Sequence, residues 1–169
     1  MIAVVDYCKG NLKSVQRGLT AVGADALITA DPEVIRRADA IVLPGVGAFA
    51  DAMSSMKESG QVDAIMERLA EGVPFLGICL GQQLLFEAGT EGAPEGGTVE
   101  GLGIMPGVAT RLPNYDAVET FYKIPHVGWN SIERVALQEA PLFKGIPEGE
   151  YFYFTHSYVA PESPYTVAT

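Results

Sequence analysis

A cysteine between two glycines is the residue of this chain best placed to act as a nucleophile. Cys79 lies in the stretch Gly-Ile-Cys-Leu-Gly, with Gly77 before it and Gly81 after it. Glycines at these positions let a strand and the next helix approach closely while the central residue is held in a strained turn. We interpret the stretch as a nucleophile elbow that carries a thiol. From spacing alone the alternative stays open that Cys79 is a buried cysteine and the glycines serve packing only.

The residues after Cys79 are expected to activate the thiol. The stretch Val73–Gly89 sets an apolar run, typical of a strand, against a run with helical spacing that begins near Leu80. The N–H groups and dipole of such a helix would favour the thiolate. The Leu80 N–H could also stabilise the oxyanion formed when the thiolate attacks a carbonyl. The predicted chemistry is therefore nucleophilic catalysis by cysteine.

A second loop offers further N–H donors. Leu43–Phe49 reads Leu-Pro-Gly-Val-Gly-Ala-Phe, so Pro44, Gly45 and Gly47 follow a predicted strand. Backbone of this kind can come close to a substrate and present free N–H groups, although an ordinary strand-to-helix turn has the same composition. In an open α/β sheet ligands gather at the carboxyl ends of the strands, which favours a site formed by this loop and Cys79.

The other thiol and both histidines are interpreted as structural. Cys8 follows a strand without a flanking glycine pair, and we expect a small apolar packing residue there. His126 and His156 are expected to be hydrogen-bonded structural residues, with His156 as a catalytic base the alternative. Trp129 is expected near the surface of a loop, either as an interface residue or as plain packing.

Four runs rich in valine and isoleucine predict the strands that position these residues. They are Ile2–Tyr7, Asp25–Ala30, Ala40–Pro44 and Pro74–Ile78. Apolar strands that alternate with helices predict a mostly parallel central sheet covered on both faces, which is a doubly wound α/β fold.

Two helical patterns lie between the first three strands. In the pattern 11–24, Asn11 is the expected N-cap and Gly23 the expected C-cap. In the pattern 31–38, Asp31 is the expected cap and Pro32 occupies the first helical position.

The sequence changes in character after Gly89. Residues 90–103 are rich in glycine, glutamate and proline and predict a surface loop. Three β-like segments without long helices follow, at 107–113, 127–133 and 150–160. The last residues resemble the middle of a strand, so we expect a single domain over residues 1–169 whose C-terminal part is missing.

Composition excludes several function classes. The chain has 169 residues and 48% hydrophobic residues, which fits one domain with a buried core. A net charge of −10 would repel nucleic acid and anionic membrane surfaces, so neither is expected as a partner. The two cysteines form no CxxC pair, and the N-terminal apolar run is too short for a signal peptide. We expect a cytoplasmic protein that uses no metal and no cofactor.

The stretch GICLGQQLLFE resembles the nucleophile signature of class I (triad-type) glutamine amidotransferases. Within that class, DYCKGNLKSV, LPGVGAF, PHVGWN and FTHSY resemble motifs of the glutaminase subunits of imidazole glycerol-phosphate synthases, in the family's order. The resemblance implies a flavodoxin-like glutaminase that hydrolyses glutamine and passes ammonia to a (β/α)8-barrel cyclase subunit. The cyclase would convert a phosphorylated ribulosyl precursor into imidazole glycerol phosphate and an aminoimidazole carboxamide ribotide, in histidine biosynthesis.

The resemblance also implies roles for single residues. Cys79 would be the nucleophile. The oxyanion site would comprise Gly45, Val46, Gly47 and the Leu80 N–H. The glutamine would be held by Gln83, His156, Ser157 and Tyr158. The contacts with the cyclase would include Asn11, Trp129 and Tyr153.

The sequence departs from the family pattern in two places. The family usually has glycine where this chain has Cys8. The family motif of the form QFHPEKS, which supplies the catalytic histidine and glutamate, is absent. An attacking cysteine needs a base and the departing ammonia needs an acid, so the chain as given is expected to be nearly inactive.

Three interpretations follow. The first is a cysteine glutaminase subunit, truncated near its C-terminus. The second is another class I glutaminase, such as that of anthranilate or aminodeoxychorismate synthesis, which PHVGWN and DYCKGN disfavour. The third is a degenerate scaffold without the triad that regulates or stabilises a partner.

Overall fold

The computed structural model describes residues 1–115, 118–135 and 140–169. These residues form two compact units, Met1–Ala109 and Thr110–Thr169. Within the described ranges, no helix combines the length and apolarity that a membrane crossing requires.

The first unit contains five helices and most of the strands among the described residues. Its strands are β1 (Ile2–Val5), β2 (Ala26–Thr29), β3 (Ala40–Gly45), β4 (Phe75–Cys79), β5 (Phe86–Gly89), β6 (Val99–Glu100) and β7 (Met105–Arg111), which ends in the second unit. Its helices are α1 (Leu12–Ala21), α2 (Pro32–Arg36), α3 (Phe49–Glu58), α4 (Gln61–Ala70) and α5 (Leu80–Gln83).

A parallel sheet in the order β2-β1-β3-β4 forms the centre of the first unit. This is the strand order of the first four strands of a flavodoxin-like fold, in which the direction of chain winding reverses between β1 and β3. The carboxyl ends of β1, β3 and β4 lie at the same edge of the sheet. The register places Gly45 opposite Cys79 there. The predicted α/β fold with a mostly parallel central sheet is confirmed.

The core lies between this sheet and its helices. Ala3, Val4 and Val5 of β1 are completely buried, as expected for a central strand covered on both faces. The helical residues packed against the same core include Phe49, Met53, Met56 and Ile65 of α3 and α4. Helices α3 and α4 are not among the elements that the sequence patterns predicted.

The predicted helix ends are confirmed in part. Gly23 has a φ of 85°, and the N–H groups of Gly23 and Ala24 donate to the carbonyls of Thr20 and Leu19, the Schellman arrangement. The Asp31 carboxylate accepts a hydrogen bond of 2.9 Å from the Glu33 N–H and so caps α2. Asn11 occupies the N-cap of α1, but its side chain forms no capping hydrogen bond.

The helix predicted to extend from Leu80 towards Gly89 is wrong over its second half. Helix α5 ends at Gln83, and Phe86–Gly89 form β5, which pairs with β6 and β7. The pairing passes Gly89 so close to Phe49 that a Cβ atom would lie 2.5 Å from the Phe49 ring. Sheet pairing and burial thus outweigh the helical spacing of the sequence. The predicted loop 90–103 likewise contains β6.

The second unit is rich in β-structure, as predicted. Strands β8 (His126–Ser131) and β9 (Tyr151–His156) pair antiparallel, and β10 (Tyr158–Val159) pairs with Thr110 and Arg111. A 3-10 helix covers Pro141–Phe143. The final backbone is hydrogen-bonded as well, because Glu133 and Thr169 exchange two bonds of 2.7 and 2.9 Å.

Candidate active site

Cys79 lies at the turn between β4 and α5 in a conformation that few residues other than glycine adopt. Its φ is 54° and its ψ is −115°. Such backbone typically costs about 1–3 kcal/mol and persists only where the surrounding structure enforces it. The thiol is exposed rather than buried, which argues against the packing-only alternative. Strain and exposure together are typical of a nucleophile elbow.

The two flanking glycines enforce this turn. A Cβ atom on Gly77 would lie 2.6 Å from the backbone nitrogen of Gln82. A Cβ atom on Gly81 would overlap the carbonyl oxygen of Leu43. Strand β4 and helix α5 therefore approach through backbone atoms, as the glycine spacing predicted, and α5 also meets the backbone of β3.

The loop after β3 lies beside the elbow. Gly45 is buried, Val46 and Gly47 are exposed, and Gly47 has a φ of 95°. A Cβ atom on Gly45 would lie 2.9 Å from the Leu80 Cβ. The structure thus brings Gly45, Cys79 and Leu80 close together at the carboxyl edge of the sheet.

The far end of this loop is held by Glu91. Its carboxylate accepts a hydrogen bond of 3.2 Å from the N–H of Phe49, the first residue of α3. Burial raises the pKa of Glu91; the Phe49 hydrogen bond opposes that rise and the Asp51 charge adds to it.

Helix α5 is shorter than the sequence analysis assumed. It comprises four residues, so it supplies the N–H groups of one turn rather than the dipole of a long helix. Leu80 is its first residue and Gln83 its last, and both are buried.

The interpretation of Cys8 as a small apolar packing residue is wrong. Cys8 is exposed and has a φ of 68°, and its N–H donates a hydrogen bond of 2.8 Å to the Asp6 carboxylate. The turn needs a left-handed residue at this point, and the side chain faces solvent. A glycine, as in the related family, adopts this φ without strain.

Tyr7 is a residue of this region that the sequence analysis missed. Its side chain is 2% exposed, and its hydroxyl lies where a Cβ atom on Gly45 would be. Burial, and to a smaller extent the charge of Cys79, raise the pKa of the Tyr7 phenol above its usual range. The only signal in the sequence is a polar aromatic residue directly after the predicted first strand.

The two histidines form a pair in the second unit. His126 and His156 face each other in the register of β8 and β9, with 3.2 Å between His126 Nδ1 and His156 Nε2. His156 Nδ1 donates to the Tyr158 carbonyl at 2.9 Å, so His156 Nε2 accepts from His126. His126 Nε2 lies 3.0 Å from the Asn130 Oδ1 position, and because Nδ1 is the donor, the side-chain amide must present its nitrogen there to form a hydrogen bond. Every ring nitrogen thus lies within 3.2 Å of a polar atom, which supports the structural interpretation of both residues.

The predicted cyclase contacts are exposed. Trp129 and Tyr153 are opposite each other on β8 and β9, 66% and 56% exposed, with ring centroids 5.6 Å apart. Asn11 is also exposed, at the start of α1. Ser157 lies between β9 and β10, and its carbonyl accepts a hydrogen bond of 2.9 Å from Leu112.

A metal site is not evident in the part of the chain that the structure describes. No group of three or more histidine, cysteine, aspartate and glutamate residues there could hold an ion. The candidate chemistry rests on the Cys79 thiol and its neighbouring N–H groups.

The chain belongs to the family described as glutamine amidotransferase class-I, whose model matches residues 3–168. A solved structure titled "Crystal structure of glutamine amidotransferase" superposes with a TM-score of 0.72 and covers 99% of this chain and 79% of that one. At 19% identity this likeness shows the fold alone.

Curated relatives indicate which group within this family the chain resembles. The imidazole glycerol phosphate synthase subunit HisH of Syntrophotalea carbinolica is 48% identical, with 99% of this chain and 80% of the relative aligned. The HisH subunit of Sulfurimonas denitrificans is 46% identical, over 95% of this chain and 73% of the relative. The similarity thus extends to the HisH subunits within the class.

Proposed function

We propose that this chain is the glutaminase subunit of an imidazole glycerol phosphate synthase. It hydrolyses glutamine to glutamate and supplies ammonia to a cyclase in histidine biosynthesis. The cyclase uses the ammonia to make imidazole glycerol phosphate and an aminoimidazole carboxamide ribotide. The observation that carries the proposal is the exposed, strained Cys79 beside the Gly45 loop. The similarity of the whole chain to the HisH relatives supports imidazole glycerol phosphate synthase over other synthases that use a class I glutaminase.

The proposed reaction begins with attack of the Cys79 thiolate on the side-chain amide carbon of glutamine. The tetrahedral intermediate carries a negative oxygen, which the N–H groups of Leu80 and of the Gly45–Gly47 loop stabilise. The C–N bond then breaks, the nitrogen takes a proton and leaves as ammonia, and a thioester remains on Cys79. Water hydrolyses the thioester to glutamate and restores the thiol. Gln83, His156, Ser157 and Tyr158 are proposed to hold the glutamine.

The proton transfers set the expected rate. The chain contains two histidines, His126 and His156, and their ring nitrogens are taken up by each other and by Tyr158 and Asn130. General acid–base assistance is typically worth about 10²–10⁴ in rate. We therefore propose that the chain as given forms the thioester slowly and turns over little glutamine.

The cyclase is proposed to dock on the exposed aromatic pair of the second unit and on Asn11. Trp129 and Tyr153 together present a large apolar surface, and such residues are enriched among those that dominate binding energy. A cytoplasmic heterodimer with a (β/α)8-barrel cyclase, and the lyase activity of the whole synthase, belong to the same proposal.

Covalent labelling tests the nucleophile without requiring turnover. The chain is incubated with a diazoketone analogue of glutamine, and the adduct is located by peptide mass spectrometry. We expect the adduct on Cys79, and we expect excess glutamine but not asparagine to prevent it. Cys8 is the internal control, because it is also exposed but has no neighbouring glycine-flanked elbow. Equal labelling of both cysteines, or no protection by glutamine, would show that Cys79 is not a glutaminase nucleophile.

One observation favours a second function, that of a scaffold which binds a partner without hydrolysing glutamine. The paired histidines leave Cys79 without an evident base among the two histidines of the chain. In that case the cyclase would bind, but glutamine would protect neither cysteine from labelling.

A further inference from the structure

The loop after β3 is anchored at both of its ends. At the near end, Gly45 lies so close to the elbow that a Cβ atom on it would be 2.9 Å from the Leu80 Cβ and 3.0 Å from the Gly81 nitrogen. At the far end, the Phe49 N–H donates a hydrogen bond to the Glu91 carboxylate. The residues between these two anchors need contacts of their own to stay in one conformation.

The middle of the loop has little main-chain support. The N–H groups of Val46 and Gly47 find no hydrogen-bond acceptor among the described residues. Val46 is 54% exposed, and Gly47 has a φ of 95°. Glycine has more conformational freedom to lose on ordering than any other residue. These N–H groups belong to the proposed oxyanion site, so whatever holds them affects the chemistry.

Lys9 supplies a contact to the middle of the loop. It lies in the turn after β1, and a Cβ atom on Gly47 would be 3.3 Å from its Cδ and 3.7 Å from its Nζ. The Lys9 ammonium forms an ion pair of 3.0 Å with Asp51, in the first turn of α3. The Lys9 side chain therefore connects the turn after β1 to α3 and packs against Gly47 between them.

The ion pair is too exposed to add much to the stability of the fold. The side chains of Lys9 and Asp51 are 38% and 64% exposed. Exposed pairs of this kind typically change an equilibrium constant by up to about fivefold. Such a factor hardly changes the population of the folded chain. It is large for a loop whose conformations are close in free energy, because their populations change by the same factor.

We propose that Lys9 is a positioning residue for the oxyanion donors: its ion pair with Asp51 restrains the loop at Gly47 and keeps the loop N–H groups beside the elbow. This inference rests on the proposed function in taking the loop as the oxyanion site. It goes beyond that function because it assigns a role to a lysine that acts on the reacting groups only through the loop.

The first test measures the motion of the loop, as backbone order parameters of Val46 and Gly47 from NMR relaxation. Lys9→Met keeps an unbranched stem but removes the ammonium. We expect both order parameters to fall from about 0.85, typical of rigid backbone, to about 0.6 or below. In 1 M salt, which screens exposed charges, the wild type should approach the variant. Lys57→Met is the matched control, because it breaks an ion pair of 3.1 Å between the same helix and Glu100, and it should leave both values unchanged.

The second test separates the loop from the thiol. The diazoketone analogue of glutamine carries a carbonyl oxygen for the oxyanion site, whereas iodoacetamide alkylates the thiolate without a recognition site. In Lys9→Met we expect labelling of Cys79 by the analogue to be about two- to fivefold slower and its alkylation by iodoacetamide to be unchanged. In an Asp51→Asn background the ion pair is already broken, so Lys9→Met should have no further effect.

Several results would overturn the proposal. Unchanged order parameters in Lys9→Met, or an equal effect of Lys57→Met, would show that the ion pair does not restrain the loop. A full effect of Lys9→Met in the Asp51→Asn background would assign the restraint to packing alone. Unchanged or faster labelling by the analogue would show that the donors do not depend on Lys9. The order parameters require no glutamine chemistry, so failure of the proposed function would instead appear as absent glutamine protection with the loop effect intact.

Discussion

The elbow of the first unit and the histidine pair of the second unit differ in whether their polar groups have hydrogen-bond partners. At the elbow, Cys79 is held in a strained backbone conformation with an exposed thiol, and the buried Tyr7 hydroxyl has no hydrogen-bond partner among the described residues. In the second unit, both ring nitrogens of His126 and of His156 have partners within 3.2 Å. Both histidines are chemically capable side chains, yet their hydrogen-bonding capacity is already used.

The difference separates residues that can react from residues that hold a fold. Local strain and unsatisfied groups lower stability and persist where the surrounding structure compensates, often at functional sites. A saturated network adds stability and leaves no nitrogen available for proton transfer. Four experiments test whether strain and packing distinguish the elbow from the histidine pair.

The largest effect is expected from a methyl group inside the elbow. Gly81→Ala places a Cβ atom on the carbonyl oxygen of Leu43, so the backbone of β3 or α5 must move. We expect the free energy of unfolding, measured in urea, to fall by about 3 kcal/mol. Gly18→Ala is the control, because Gly18 lies in α1 with nothing within 4 Å of its Cβ position, and it should stabilise the chain by about 0.5–1 kcal/mol. Equal effects of the two variants would mean that the elbow is not tightly packed.

The exposed aromatic pair should contribute to binding rather than to folding. Trp129→Ala is expected to weaken binding of the cyclase by about 2 kcal/mol, roughly thirtyfold in Kd, by isothermal titration calorimetry. Tyr165→Ala removes another exposed aromatic ring and should leave the Kd unchanged. A similar loss in both variants would place the interface elsewhere.

The histidine pair should affect stability alone. His126→Ala removes the bonds to His156 and Asn130, and we expect the free energy of unfolding to fall by about 1–2 kcal/mol. The rate of Cys79 alkylation should not change. The neighbouring exposed Val127→Ala should cost under about 0.5 kcal/mol. A slower alkylation of Cys79 in His126→Ala would show that the pair acts on the nucleophile.

The smallest effect tests the strain at the two cysteines. Cys79 and Cys8 have φ angles of 54° and 68°, which glycine adopts freely. Cys79→Gly and Cys8→Gly should each raise the free energy of unfolding by about 1 kcal/mol. Only Cys79→Gly should abolish labelling by the glutamine analogue. Lower stability in Cys79→Gly would contradict the interpretation that the elbow stores strain.

The strands and helix ends that the sequence predicts correctly depend on signals between residues close in sequence. The strands β1 to β4, the cap at Asp31 and the helix end at Gly23 depend on residues close in sequence, and the glycine spacing around Cys79 is itself a local pattern. These elements are sufficient to place the thiol at the carboxyl edge of a parallel sheet.

The errors come from interactions between distant residues. Phe86–Gly89 has helical spacing but joins a sheet, because its partners at Val99–Glu100 and in β7 are distant in sequence. The packing interpretation of Cys8 follows from the usual burial of free cysteine, whereas its exposure depends on the turn that the loop makes. Tyr7 gains significance only through the closeness of Gly45, which no pattern along the chain reveals.

Because neither Gly77 nor Gly81 leaves room for a Cβ atom, the elbow restricts which substitutions the family can accept. The position of the thiol is determined by main-chain atoms of β3, β4 and α5, which every amino acid shares. Core side chains such as Leu43 can therefore be exchanged for others of similar volume while the sulfur keeps its place. Sequence divergence and a constant site geometry are compatible in this architecture, provided that the two glycines are retained.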